Sequence, residues 1–110
     1  MGVREIGESA FEDCKSLREI HLTEDSRLEQ VGERAFAGSG LQAFAAPPSL
    51  REVSSHAFRD CESLRTVRLN EGLETVGQEA FIDSGVEEVF ISASVREIGK
   101  TTFGRCERLR

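Results

Sequence analysis

The residue types of a serine hydrolase triad occur within one short segment of this chain. His56 follows Ser54 and Ser55 directly and stands four residues before Asp60. A histidine placed between a hydroxyl and a carboxylate can act as a general base. A triad also needs a pocket that brings the three groups together, and nothing in this spacing predicts one. Whether these residues can act together therefore depends on the fold of the segment that contains them.

Three cysteines, Cys14, Cys61 and Cys106, are the other candidates for chemistry. A tetrahedral zinc site needs clustered ligands, and the chain has no C-x-x-C or H-x-x-x-H spacing that would supply them. It also lacks a glycine-rich phosphate loop, a calcium loop and a heptad pattern. The sequence therefore predicts neither a metal site nor a cofactor site.

All of these residues belong to a repeated pattern. A phrase of nine residues that ends in phenylalanine occurs five times, and its phenylalanines lie 25, 22, 23 and 22 residues apart. Each copy has an apolar residue eight positions before the phenylalanine and a branched aliphatic residue five positions before it. The five are Phe11, Phe36, Phe58, Phe81 and Phe103. Such an internal repeat decides the fold.

A second phrase, of the form L-x-x-L-x-L, follows the first in each repeat. It reads LREIHL, LQAFAA, LRTVRL and VEEVFI, and these copies begin at Leu17, Leu41, Leu64 and Val86. Its alternation predicts a strand whose inward residues are separated by residues that face solvent. The spacing from phenylalanine to this phrase alternates between six and five residues, so the larger period is a pair of repeats.

A unit of 22 to 25 residues is too small to bury its own apolar side, so neighbouring units must stack around one core. The sequence predicts a single solenoid domain over residues 1–110, with about 4.5 repeats and both ends cut within a repeat. Each coil is expected to add one strand to a parallel sheet, a shorter strand to a second face, and a short helical or 3₁₀ turn near its phenylalanine. The phenylalanines would stack as a spine.

A glycine follows the branched residue of the first phrase at Gly7, Gly32, Gly77 and Gly99. Two explanations are open, because a glycine can supply a positive φ or permit close approach of another backbone. Ser54 occupies the same position in the third copy. The sequence does not decide between the two.

Stacking of the coils also predicts the environment of the three cysteines and of His56. The three cysteines occupy one position in alternate coils, which places their α-carbons ~9 to 10 Å apart at the spacing of neighbouring strands. A disulfide tolerates at most ~7 Å, so Cys14, Cys61 and Cys106 are expected to be buried, reduced thiols. His56 precedes Phe58 at a turn, where the repeat alone accounts for it. The sequence predicts that the protein is not an enzyme.

Composition argues against two kinds of partner. The chain has 14 Lys+Arg and 20 Asp+Glu, a net charge of -6, with both signs mixed along its length. No basic surface for nucleic acid is therefore expected. The apolar runs are far shorter than the roughly 20 residues of a bilayer span, and Met1 is followed by Gly-Val-Arg-Glu rather than an apolar leader. Membrane insertion is not expected.

The outward positions of the second phrase are the best candidates for binding, because extended sheets are the usual binding faces of solenoids. Val89 and Ile91 must face inward for their strand to pack, which leaves Phe90 in water, and exposed aromatic residues often anchor interfaces. Alternatively, Phe90 leans over a loop or caps the strand edge. The residues predicted to bind a protein ligand are Glu19, His21, Arg65, Thr66, Arg68, Glu88 and Phe90.

The repeat resembles the BspA-like leucine-rich repeats, whose units read V-x-x-I-G-x-x-A-F-x-x-C-x-x-L-x-x-I-x-L-P. In VREIGESAF, Phe11 is followed three residues later by Cys14 and six later by Leu17, as in that pattern. The likeness covers essentially the whole chain, although Thr102 replaces the usual alanine. It implies a curved right-handed solenoid of the kind found in large bacterial and protozoan surface proteins, used for adhesion and protein recognition. It suggests the cell surface for the full-length protein.

Two functions stay open. The leading hypothesis is a non-catalytic protein-protein interaction module that resembles cell-surface adhesion repeats. The alternative is a structural spacer, or an orphan repeat fragment of a larger protein, with no partner of its own. The uncapped coils are also expected to associate weakly end to end. Arg96 would meet Arg4 in a head-to-tail contact and repel it, which favours two-fold pairing over open fibres.

Overall fold

The repeated phrases fold into the stacked coils of a solenoid, as their spacing predicts. The computed structural model describes residues 4–22 and 25–109. In chain order the strands are β1 (Glu5–Ile6), β2 (Gln30–Val31), β3 (Ala43–Ala45), β4 (Glu52–Val53), β5 (Thr66–Leu69), β6 (Thr75–Val76), β7 (Glu88–Ile91) and β8 (Glu97–Ile98).

These strands form two parallel sheets, one from each phrase of the repeat. The five-stranded sheet has the order β1-β2-β4-β6-β8, and the three-stranded sheet has the order β3-β5-β7. Equivalent residues pair in register, as Val31 does with Val53 and Val67 with Val89. Each coil therefore repeats the one before it, so side chains of one repeat position form a column across the coils.

The predicted phenylalanine spine runs through the core. The rings of Phe11, Phe36, Phe58, Phe81 and Phe103 are stacked on one another with centroids 4.9–5.3 Å apart and planes within 8° of parallel. The three central rings are fully buried, whereas Phe11, on the first coil, is 38% exposed. The column therefore links the coils through large apolar side chains.

The segment around each phenylalanine forms linked turns, and the residues that the structure describes contain no helix. Alternate amides bond within the coil, as Arg59 N–H does to His56 O at 3.1 Å. The amides between them bond to the next coil, as Phe58 N–H does to Ala80 O at 2.7 Å. Residues two positions before and after each phenylalanine have positive φ, which interrupts helical geometry every four residues.

The strand expected at 17–22 is not formed. This segment keeps one bond to its neighbour, from Gln42 N–H to Arg18 O at 3.0 Å. Ile20 and Leu22 are half-buried against the core, so the inward alternation is preserved. The segment lies at the open side of the three-stranded sheet, where a single neighbour can pair with it.

The glycine of the first phrase permits close approach between coils. A Cβ atom on Gly32 would lie 2.7 Å from Ile6 O, and one on Gly77 would lie 2.5 Å from Ser55 N. Neither glycine has a positive φ. Gly7, on the first coil, would have nothing within 4 Å of such an atom. Close approach of the preceding coil therefore accounts for Gly32 and Gly77, and a left-handed backbone does not.

Candidate functional site

The outward face of the three-stranded sheet, from β3, β5 and β7, carries most of the predicted binding residues; we call it the strand face. Strand register arranges its outward side chains in two columns. The columns are Ala43, Thr66 and Glu88, and then Ala45, Arg68 and Phe90. All six side chains are exposed. Two of the three strands present large polar or aromatic groups, and β3 presents only methyl groups.

Arg68 and Phe90 form the most distinctive contact on this face. The guanidinium carbon of Arg68 lies over the Phe90 ring, 5.0 Å from its centroid. Phe90 is 47% exposed, so its predicted outward position is confirmed. Both residues hold the fifth position of the second phrase in adjacent coils, which was a sequence signal for their contact. A cation over an exposed ring is stabilised by about 0.5–1 kcal/mol.

A shallow groove accompanies this pair. It has a volume of about 470 Å³ and is lined by residues 66–68 and 88–90. Ala45 lies beside Arg68 in strand register. Its small side chain forms no wall on that side of the groove. Another protein could therefore approach the pair closely from the β3 side.

Glu19 and His21 lie apart from the Arg68 and Phe90 pair. They belong to the irregular segment 17–22, on the other side of β3 from Phe90. Their side chains are 73% and 83% exposed, and His21 Nε2 is 3.1 Å from Glu19 Oε1. The strand face thus has a charged margin on this side, separated from the aromatic pair by the two alanines.

Arg65 lies at the border of the strand face and is engaged in contacts within the solenoid. Its guanidinium donates to Glu62 O at 2.7 Å and lies 3.6 Å from the Glu87 carboxylate. It also reaches Gly85 O at 3.4 Å. Because these bonds join two coils, Arg65 is less free than Arg68 to contact a partner.

Ile91 is more exposed than an inward position on a paired strand would be. It pairs in register with the buried Leu69, in agreement with the prediction that it faces inward with Val89. Its side chain is nevertheless 41% exposed, whereas Val89 is half-buried against the core. The reason is its place on β7, the outermost strand of the three-stranded sheet. No strand of the described residues pairs with the far side of β7, so even an inward position there is open to solvent.

The structure pairs His56 with a residue outside the group that suggested a triad. His56 Nε2 lies 2.8 Å from Glu79 Oε1 on the next coil, and its described hydrogen bonds include none to Ser54, Ser55 or Asp60. His56 and Glu79 each precede the phenylalanine of their coil by two residues. The histidine therefore joins neighbouring turns.

The three cysteines are free thiols, but they do not share one environment. The prediction of burial is confirmed for Cys61 and Cys106 and wrong for Cys14, which is exposed. The buried thiols bond to the preceding coil, Cys61 to Phe36 O at 3.0 Å and Cys106 to Phe81 O at 3.1 Å. Among the described residues, no coil precedes that of Cys14, which explains its exposure.

This difference predicts the thiol reactivity of the folded chain. Burial raises the pKa of the Cys61 thiol, which lowers its thiolate fraction as well as its accessibility. We expect one equivalent of a chromogenic disulfide reagent to react rapidly, at Cys14, and two more to react only after denaturant is added. The variant Cys14→Ser should lose the rapid phase. Rapid reaction of two or three thiols in the native chain would contradict the packing of Cys61 and Cys106.

The described part of the chain contains neither a cluster of metal-ligating side chains nor a helix suited to span a membrane. Residues 4–22 and 25–109 contain no group of three or more His, Cys, Asp or Glu side chains able to hold a metal ion. The same ranges contain no helix with the length and apolarity needed to cross a membrane.

Comparisons with known proteins agree with the architecture. The family model described as the BspA type leucine rich repeat region matches residues 1–110 with six copies. The solved leucine-rich repeat protein of T. pallidum is 31% identical, with a TM-score of 0.84 over 97% of this chain and 50% of that one. A leucine-rich repeat protein from Bacteroides ovatus is 22% identical, with a TM-score of 0.69 over 97% of this chain and 33% of that one.

The chain spans half the length of the first of these structures and a third of the second. At 22% identity, the likeness to the Bacteroides protein concerns the fold alone. No curated protein matches the chain.

Proposed function

Since the chain belongs to the BspA-type leucine-rich repeat family, we propose that it is a non-catalytic protein-binding module that uses the strand face as its recognition surface. Repeats of this type generally mediate contacts between proteins, and solenoids bind through extended sheets. Adhesion at a cell surface is part of the proposal, and the resemblance of the repeats is its support. The pairing of Arg68 with Phe90 is the observation that carries it.

That pair supports the proposal because the fold does not require it. Phe90 is about half exposed and lies on the side of the sheet away from the phenylalanine spine. Arginine and aromatic residues are enriched among the residues that dominate binding energy in interfaces. Thr66 and Glu88 stand opposite each other in the adjacent column, where they can supply the polar surroundings of such an anchor.

A photo-crosslinking experiment in the cells that make the protein tests this function. The residue p-benzoylphenylalanine replaces Ala45, which is exposed on β3, and in a matched control it replaces Glu52, which is exposed on the five-stranded sheet. A partner that binds the strand face should crosslink at position 45 and not at position 52, and Phe90→Ser should remove the product. Equal crosslinking at both positions, or a product insensitive to Phe90→Ser, would contradict the proposal.

The same substitution should leave the fold intact. We expect Phe90→Ser to lower the free energy of unfolding by less than about 1 kcal/mol, because it removes an exposed ring and one exposed cation contact. Val67→Ser, at a buried position of β5, is the comparison and should cost several times more. Chemical denaturation measures both. A large loss for Phe90→Ser would mean that its ring supports the core.

A second proposal concerns the two ends of the array. Phe11 on the first coil and Ile98 on the last are each about 40% exposed, and large exposed apolar groups favour association. Arg4 at the first coil and Arg96 at the last would face each other in a head-to-tail contact. We propose weak two-fold pairing of this 110-residue chain in place of open fibres.

Sedimentation velocity over a range of concentrations measures this pairing. The mean mass should rise toward that of a dimer and then level off. If last coils pair with each other, Ile98→Glu should abolish the rise and Phe11→Glu should not, whereas pairing of first coils predicts the reverse. Phe90→Ser should have no effect. A monomer at all concentrations, or a mass that grows without limit, would contradict two-fold pairing.

A further inference from the structure

We propose that the partner presents a single carboxylate to Arg68 and an aliphatic or aromatic side chain to Phe90. This inference rests on the proposed function, since it names the chemistry that the strand face selects. The occupant is a short segment of another protein in which an aspartate or glutamate adjoins an apolar residue. Three features of the face carry the argument: the state of the Arg68 guanidinium, the exposed ring beneath it, and the position of Glu88.

The Arg68 guanidinium is held in place without a carboxylate partner. Arg105 and Arg65 both pair with acids within the chain, Arg105 Nε at 2.7 Å from Asp83 Oδ1 and Arg65 Nε at 3.6 Å from Glu87 Oε2. No carboxylate among residues 4–22 and 25–109 lies within ion-pair distance of Arg68. Its described contact is the Phe90 ring. A positioned cation without an anion is complementary to an acidic group.

Its position over the Phe90 ring suits Arg68 to carboxylate binding. A guanidinium over the face of a ring keeps the N–H groups that point away from the ring available. Two parallel N–H groups can then donate to the two oxygens of one carboxylate. The side chain also loses less conformational freedom on binding, because the ring already restricts it. The remaining exposed part of Phe90 can contact an apolar neighbour of that carboxylate.

Glu88 limits the partner to one acidic group at this place. It is two residues before Phe90 on β7, about 7 Å away along the strand. It takes part in none of the ion pairs of the described ranges. A second acid of the partner would meet this carboxylate and be repelled. The chain as a whole carries a net charge of -6, which further disfavours a polyacidic tract. A neutral or basic residue is therefore expected opposite Glu88.

Selection from a peptide library tests this chemistry without knowledge of the natural partner. A displayed library of random ten-residue peptides is selected on the full chain and depleted on Phe90→Ser. Most enriched peptides should contain one Asp or Glu within two residues of an aliphatic or aromatic residue. An enriched peptide is then synthesised with a fluorescent label, and its Kd is measured by anisotropy beside that of its copy with the acid replaced by the amide.

Replacing the acid by its amide should weaken binding on the order of 10-fold or more, because a charge-assisted pair is lost. Arg68→Lys should have a similar effect, since lysine keeps the charge but cannot donate in the bidentate geometry. Arg51→Lys is the matched control, because Arg51 is exposed directly before β4 of the five-stranded sheet, and it should leave Kd unchanged. Glu88→Gln should leave binding intact or tighten it. Circular dichroism confirms that each variant is folded.

Three outcomes would overturn the inference. Peptides that bind the strand face but lack acidic residues, or that tolerate the change of acid to amide, would refute carboxylate binding and leave the proposed function standing. A library that yields no binder sensitive to Phe90→Ser would also refute it. The proposed function itself fails separately, when the natural partner crosslinks equally at positions 45 and 52.

Discussion

Replacing Phe58 with alanine should lower the free energy of unfolding by about 3 to 5 kcal/mol, the range for removing a fully buried aromatic side chain. Phe58 stacks on Phe36 and Phe81 with centroids 5.2 and 4.9 Å away, and it also contacts the Phe44 ring at 4.7 Å. The substitution thus opens a cavity between the coil of Phe58 and the coils before and after it. Urea denaturation followed by far-ultraviolet circular dichroism measures the loss.

Phe11→Ala provides the matched comparison at the end of the same column. Phe11 is 38% exposed and stacks on one ring, that of Phe36. Its removal should cost about 1 kcal/mol, because much of the ring is already in water and little cavity forms. Equal losses for Phe58→Ala and Phe11→Ala would mean that the rings do not form a continuous buried spine.

The second large effect is expected at a glycine. Gly77→Ala should destabilise the chain by about 1 to 3 kcal/mol, the usual cost of forcing one carbon into packed structure. The added Cβ would lie 2.5 Å from Ser55 N, a backbone atom of the preceding coil that no side-chain rotation can move away. The thermal midpoint measured by calorimetry should fall accordingly.

Gly7→Ala tests the reason for that effect. Gly7 occupies the same repeat position, but an added Cβ would have nothing within 4 Å of it. We expect Gly7→Ala to raise the free energy of unfolding by about 0.4 to 1 kcal/mol, because alanine reduces the conformational freedom of the unfolded chain. If Gly7→Ala destabilised the chain as much as Gly77→Ala, backbone conformation and not the approach of a neighbouring coil would explain this glycine.

The features that sequence predicted best are those set by repetition. The five spine phenylalanines share a repeat position, so stacking of identical coils alone brings their rings together. The alternation around Phe90 fixed its outward direction, because its strand neighbour Val89 had to be buried. Such predictions need only the period and the strand geometry, which tolerate changes in individual residues.

The turns were less predictable, because their geometry depends on bonds between coils. Arg34, His56 and Glu79 all adopt a positive φ at one repeat position, yet they share no residue type that would indicate it. A weak signal existed two residues after the phenylalanine, where Asp60 and Asp83 occur, since aspartate tolerates this conformation better than most residues. The interior amides are satisfied by the next coil, which a single repeat does not reveal.

The exposure of Cys14 and of Ile91 has one physical cause. Both predictions treated every coil as having a neighbour on each side, whereas Cys14 lies on the first coil and Ile91 on the outermost strand of its sheet. The contact of Arg65 with Glu62 O was also not foreseen, because it depends on the path of the turn between them. Position within the array matters as much as position within the repeat.

The alternation of cysteine with serine across the coils bears on how such an array tolerates oxidation. Ser84 Oγ lies only 3.3 Å from Cys106 Sγ, and Ser39 Oγ lies 3.7 Å from Cys61 Sγ. A thiol at either serine would face another thiol at a separation that allows a covalent bridge. Serine in every second coil keeps the sulfur atoms apart. An array that grows by whole pairs of coils therefore never places cysteines in adjacent coils. Insertion of a single cysteine-bearing coil would place two cysteines side by side, where oxidation could join them.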